Sequence, residues 1–121
     1  MKDTDWVRIA ALYDALSELT PSPIVDLNRA VAVSMAYGPA AGLEILEDLV
    51  AEGTLEAYPA LHAARGELLA KSGLWAEARA AFERAAELSR NGPEKELLMD
   101  RASACSQGAL WWRAKPKEGG R

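Results

Sequence analysis

Apolar positions along this chain recur at helical spacing between regularly placed turn residues. Trp6, Ile9, Leu12, Tyr13 and Leu16 follow the i, i+3, i+4 rule, and Asp5 before them predicts the N-cap of a first helix. The string "TPSP" ends that helix. Ser22 and Pro23 form a favourable N-cap and N1 pair for a second helix running to about Tyr37, and Gly38 and Pro39 repeat the stop-and-restart signal. A third helix carries Leu43, Ile45, Leu46, Leu49 and Val50 as far as "EGT" at 52–54. A fourth is predicted over about 57–72 with Leu61, Leu68 and Leu69, closed by Gly73. The fifth covers about 75–89, Asn91, Gly92 and Pro93 break the chain again, and a sixth extends to about Ser106. Connections this short force consecutive helices to lie antiparallel.

The helices repeat. An offset of 36 lays Ala30 on Gly66, Val33 on Leu69, Gly42 on Ala78 and Leu46 on Phe82, so small residues meet small and large meet large. Paired helices approach closely only where small residues let the backbones near, with a bulky neighbour filling the next gap. Over 59–92 the series Gly66, Leu69, Ala78, Phe82, Ala85 resembles a tetratricopeptide repeat (TPR), whose usual period is about 34. The expected fold is all-α: about six antiparallel helices in a short TPR-like α-solenoid. The expected division is a leader or linker at 1–4, a helical domain at 5–108 and a basic, disordered tail at 109–121.

Composition agrees with helices packed closely. Half of the 121 residues are hydrophobic but only 7% are aromatic, and alanine is abundant. The net charge of −4 hides an uneven spread, because the last nine residues hold Arg113, Lys115, Lys117 and Arg121 against Glu118 alone. Residues 1–112 carry ten basic against seventeen acidic side chains, a net −7. Such a body offers no footprint for a phosphate backbone, and no direct nucleic-acid contact is expected of it. Cys105 is the sole cysteine, which rules out an intramolecular disulfide and fits a reducing cytoplasm. No apolar run approaches the ~20 residues of a membrane span, and "MKDTDW" has no signal-peptide core. A soluble, cytoplasmic chain without membrane contact is expected. Trp111 and Trp112, followed by basic residues, read as a helix end packed back on the bundle rather than as a membrane anchor.

Candidate chemistry is sparse. His62 is the lone histidine, no nucleophile motif surrounds it or Cys105, and no glycine-rich phosphate loop is present. No catalytic residue, metal site or cofactor is expected, and the chain does not read as an enzyme. Glu44 with Glu47 and Asp48, and Glu83 with Arg84 and Glu87, read as ordinary solvated faces. Four other polar residues stand out. In "SPIVDLNRAVAV" Arg29 has Val25 and Val33 four residues either side, and Asn28 has Ile24 and Ala32. The offset of 36 places Arg29 on Arg65 and Asp26 on His62. Asn28, Arg29, His62 and Arg65 therefore form the candidate set, either as staples that tie helix pairs together or as a surface receiving a partner's carboxylates or main chain.

The strings "DWVRIAALYDAL", "TPSPIVDLNRAVAV", "GPAAGLEIL", "YPALHAARGELL" and "GLWAEARAAFERAAEL", in this order, resemble the C-terminal TPR-like extension of a group of extracytoplasmic-function sigma factors, sigma-70-type initiation subunits of bacterial RNA polymerase. The resemblance covers about residues 5–105. It implies a fragment of a longer protein, or a detached copy of its tail, without the regions that bind polymerase and read the promoter. It further implies a regulatory, protein-binding role in transcription initiation. The partners would be the promoter-reading sigma regions of the parent chain, the RNA polymerase core or a separate signalling protein. "LNRAVA" and "LHAAR" are signature strings of the group, and Asn28, Arg29, His62 and Arg65 match them by position. Gly66, where alanine is commoner, and the tail "WWRAKPKEGGR" depart from the pattern. The alternative expectation is a free-standing TPR-like adaptor that binds a peptide or protein. An apolar end left open by so short a solenoid would invite docking on the sigma regions or a homodimer.

Overall fold

A computed structural model describes residues 5–106. They form six helices: α1 (Trp6–Leu19), α2 (Pro23–Tyr37), α3 (Pro39–Glu52), α4 (Pro59–Lys71), α5 (Trp75–Leu88) and α6 (Gly92–Ser106). The fold is all-α. The leader at 1–4, the last two residues of the expected helical domain and the tail at 109–121 lie outside the described residues.

Local chemistry explains most boundaries. Asp5 Oδ1 accepts from the Arg8 amide at 3.1 Å, and Ser22 Oγ from the Ile24 and Val25 amides, so two free N–H sets are capped by side chains. Gly38, at φ 107°, ends α2 and starts α3 at once, a backbone angle that a side chain would strain. The α4–α5 turn is a Schellman motif: the Leu74 amide donates to the Leu69 carbonyl and the Gly73 amide to that of Ala70, with Gly73 at φ 80°. Asn91 Oδ1 takes the Glu94 amide and opens α6.

One boundary differs from expectation. The fourth helix begins at Pro59 rather than near Ala57, and 54–57 form a turn. Proline disfavours helical geometry in the residue before it but suits the first helical position itself, so Tyr58 stays extended and the helix starts one residue on.

Each helix packs on its neighbours in the chain, and α2 also touches α4, the equivalent helix of the next pair. This is the nearest-neighbour pattern of a solenoid. The α3–α4 junction is thinner than the packing within α1–α3 or α4–α6. Two core clusters result. One spans the junction and consists of Leu27, Ala30, Leu46, Leu49, Leu61 and Leu68. The other lies within α4–α6, where Phe82 is ringed by alanines with Leu69, Leu98 and Cys105. Burial pushes the Cys105 thiol pKa up, and Arg79 partly opposes the rise.

The repeat register is visible in the packing. Ala30, Gly42 and Leu46 are buried in the first pair as Gly66, Ala78 and Phe82 are in the second, whereas Val33 is only half-buried where Leu69 is fully so.

Candidate functional site

The four candidate residues do not converge. Three of them tie each helix pair to what precedes it. Arg29, with its side chain 27% exposed, lies on the inner side of α2, and its Nη1 donates to Asp14 Oδ1 of α1 at 3.3 Å. Its Nε stands 3.5 Å from Asp26 Oδ1, close enough for attraction but without hydrogen-bond geometry, so this buried donor is held by charge alone. Arg65, 25% exposed at the equivalent place on α4, donates through Nε to Glu47 Oε2 of α3 at 2.8 Å. Both arginines thus bridge the first helix of a pair to the helix before it.

Their partners at the offset of 36 do the same work. Asp26 Oδ1 accepts from Ser17 Oγ near the end of α1 at 2.8 Å. His62 is 7% exposed, and its Nε2 lies 2.8 Å from the Glu56 carbonyl in the α3–α4 turn. A carbonyl only accepts, so Nε2 carries the proton in this contact. The Glu56 carboxylate is in turn held by Arg84 of α5 at 3.2 Å. A carboxylate in one repeat and an imidazole in the next therefore secure the incoming connection, in each case from the first helix of the pair.

Asn28 behaves differently. Asn28 is exposed and makes no side-chain hydrogen bond among the described residues, so it is not a staple between helices there. It sits among Ile24, Val31 and Met35, which lie on the same exposed side of α2. Helical spacing alone placed Asn28 between apolar residues but left open whether that stripe faced the core or water. The position-equivalents on α4 are Ala60, Ala64, Glu67 and Lys71, and Glu67 is engaged by Arg101 of α6. The first pair therefore presents an apolar stripe where the second presents a small and charged one.

Glu44 and Asp48 are exposed, as expected of a solvated face, but their place beside a groove is not readable in the sequence. They stand one turn apart on α3 beside Leu43 and rim a groove against the α4–α5 turn. The i, i+4 spacing was readable, but nothing local shows that α5 would bring Glu77 to the same rim. Among the described residues no group of three histidine, cysteine or carboxylate side chains is placed to hold a metal ion, and no helix is long and apolar enough to cross a membrane. Among the described residues, the fold and these sites define a helical-repeat scaffold with exposed apolar side chains along α2 and an acidic groove between α3 and the α4–α5 turn.

An uncharacterized protein of Rhizobium meliloti (strain 1021) is 48% identical over 97 residues, which make up 80% of this chain and 22% of that protein. The chain thus spans about a fifth of the length of the curated relative it matches. No protein-family profile matches the chain, and no solved structure does.

Proposed function

We propose that this chain is a regulatory and protein-interaction domain at the C-terminal end of a bacterial extracytoplasmic-function sigma factor, acting in the cytoplasm through protein contacts rather than DNA reading. The observation that carries the reading is the α2 stripe. Ile24, Val31 and Met35 are exposed around an amide that has no hydrogen-bond partner among the described residues, which suits docking of another protein surface. The five ordered strings that resemble the sigma-factor extension supply the identity of that surface, namely the promoter-reading regions of the same parent chain, the polymerase core or a signalling protein. The acidic body supports contact with protein over contact with phosphate. A match filling most of this chain and a small part of a longer relative is what a module within a larger protein produces.

The test is reporter transcription from the parent factor's own promoter at matched protein level. V31E/M35E in the parent chain is expected to change the output in the same direction as removal of the whole domain, while the melting temperature of the domain stays within a few degrees. Unchanged transcription in both would overturn the reading. An open frame before Met1 that encodes no helix-turn-helix would favour the adaptor instead.

A further inference from the structure

A groove of about 650 Å³ runs between α3 and the α4–α5 turn. Leu43, Leu69 and Leu74 make its apolar side, and Glu44, Asp48 and Glu77 stand around it. None of these three carboxylates has an ion-pair partner among the described residues, and no lysine or arginine lines the groove. A fourth acid there, Glu47, is already bound to Arg65. Apolar surface beneath unneutralised carboxylates suits a segment that combines bulky side chains with cations.

The chain itself contains such a segment. Residues 109–121 read "ALWWRAKPKEGGR", with two tryptophans followed by Arg113, Lys115 and Lys117. Its point of departure is favourable. α6 runs antiparallel to α5, and Cys105 near its end is buried in the same cluster as Leu69 and Ala78, so the chain leaves the helix beside the α4–α5 turn. Trp111 follows Ser106 by five residues, a reach of up to about 17 Å when extended, which exceeds the ~10 Å thickness of one helix.

We propose that residues 109–121 dock in this groove of their own chain, Trp111 and Trp112 against Leu43 and Leu74, and the three cations against Glu44, Asp48 and Glu77. Tethering by so short a linker gives an effective concentration on the order of millimolar, so a groove with only weak intrinsic affinity is filled. The tail then acts as an internal pseudo-ligand, and a basic segment of another protein must displace it to bind. The inference is independent of the sigma-factor reading.

The full-length chain carrying C105A and A114C, nitrogen-15 labelled and with a nitroxide on the new cysteine, tests this by paramagnetic broadening. Amides of Glu44, Asp48 and Glu77 are expected to lose most of their intensity while those of Val7 and Leu12 on α1 keep theirs. The loss should reverse in about 0.5 M salt, where charges are screened within a few ångströms. It should reverse also in E44K/D48K/E77K, whose circular dichroism checks that the helices persist. Unselective or absent broadening overturns the proposal, as does broadening that survives charge reversal. Transfer of the effect to an unlabelled-tail chain in a mixture overturns docking in cis and assigns the groove to the tail of a second copy.

Discussion

The junction core and the α4–α6 core solve the same packing problem with different residues. At the thin α3–α4 junction, leucines from α2, α3 and α4 fill the space, so the volume is shared among several side chains of similar size. Within α4–α6, alanines bring the helices close around Phe82, with Leu69 and Leu98 the other large side chains. The glycines follow the same division. A Cβ on Gly42 would stand 2.7 Å from the Ala30 carbonyl oxygen and 2.7 Å from Ser34 Cβ, whereas one on Gly66 would have the ring of Phe82 as its nearest neighbour, at 3.0 Å. The first contact is with backbone and the second with a side chain that can shift. Close approach is thus enforced by main chain in one pair and adjusted by one aromatic ring in the other.

Truncation should separate the two cores most clearly. Phe82→Ala removes the only aromatic member of its cluster and should cost about 3–5 kcal/mol, enough to unfold much of a domain this size, while Leu46→Ala should cost about 2–4 because neighbouring leucines relax into the space. Urea unfolding measures both, and a larger loss for Leu46→Ala would reverse the comparison. Next in size is the glycine pair. Gly42→Ala should lower stability by about 1–3 kcal/mol through overpacking against backbone. At Gly66→Ala the gain of about 1 kcal/mol in helix propensity offsets a small shift of Phe82, leaving a change near zero. Equal losses in thermal melts of the two variants would show that Phe82 is as immobile as the α2 backbone.

The staples should give the smallest effects. His62→Ala removes a buried imidazole together with its bond to the Glu56 carbonyl in an exposed turn and should cost about 1–2 kcal/mol, whereas Arg29→Ala and Arg65→Ala, in half-exposed ion pairs, should each cost less than about 1. Melting in low and high salt checks the arginines, since a pair held by charge at Arg29 should be the more salt-sensitive of the two. Loss of partner binding by Arg29→Ala or Arg65→Ala with little loss of stability would return them to the recognition surface.

Much of the fold was legible because its signals are local. Asp5, Ser22, Gly38, Gly73 and Asn91 act on amides and carbonyls within a turn of themselves, so the start of α1 and four of the five junctions are readable directly. The start of α4 lies two residues later than helical spacing suggests because Pro59 keeps Tyr58 extended. The candidate site was legible in part. Equivalence at an offset of 36 correctly paired Arg29 with Arg65 and Asp26 with His62, but it could not tell that Asp14, Glu47, Ser17 and Glu56 would receive them.

Sequence by itself determined helix content, the approximate register of the repeat and the acidic balance of the body, since periodicity, capping and charge depend on residues near one another or on simple counts. Tertiary structure alone decided that Asn28 faces outward while Arg29 beside it faces α1, and that Glu77 joins Glu44 and Asp48 across a junction. The physical reason is that neighbours about 100° apart on a helix differ in fate only through what packs against each side, and in a solenoid that partner comes from the adjacent helix rather than from the same stretch of chain.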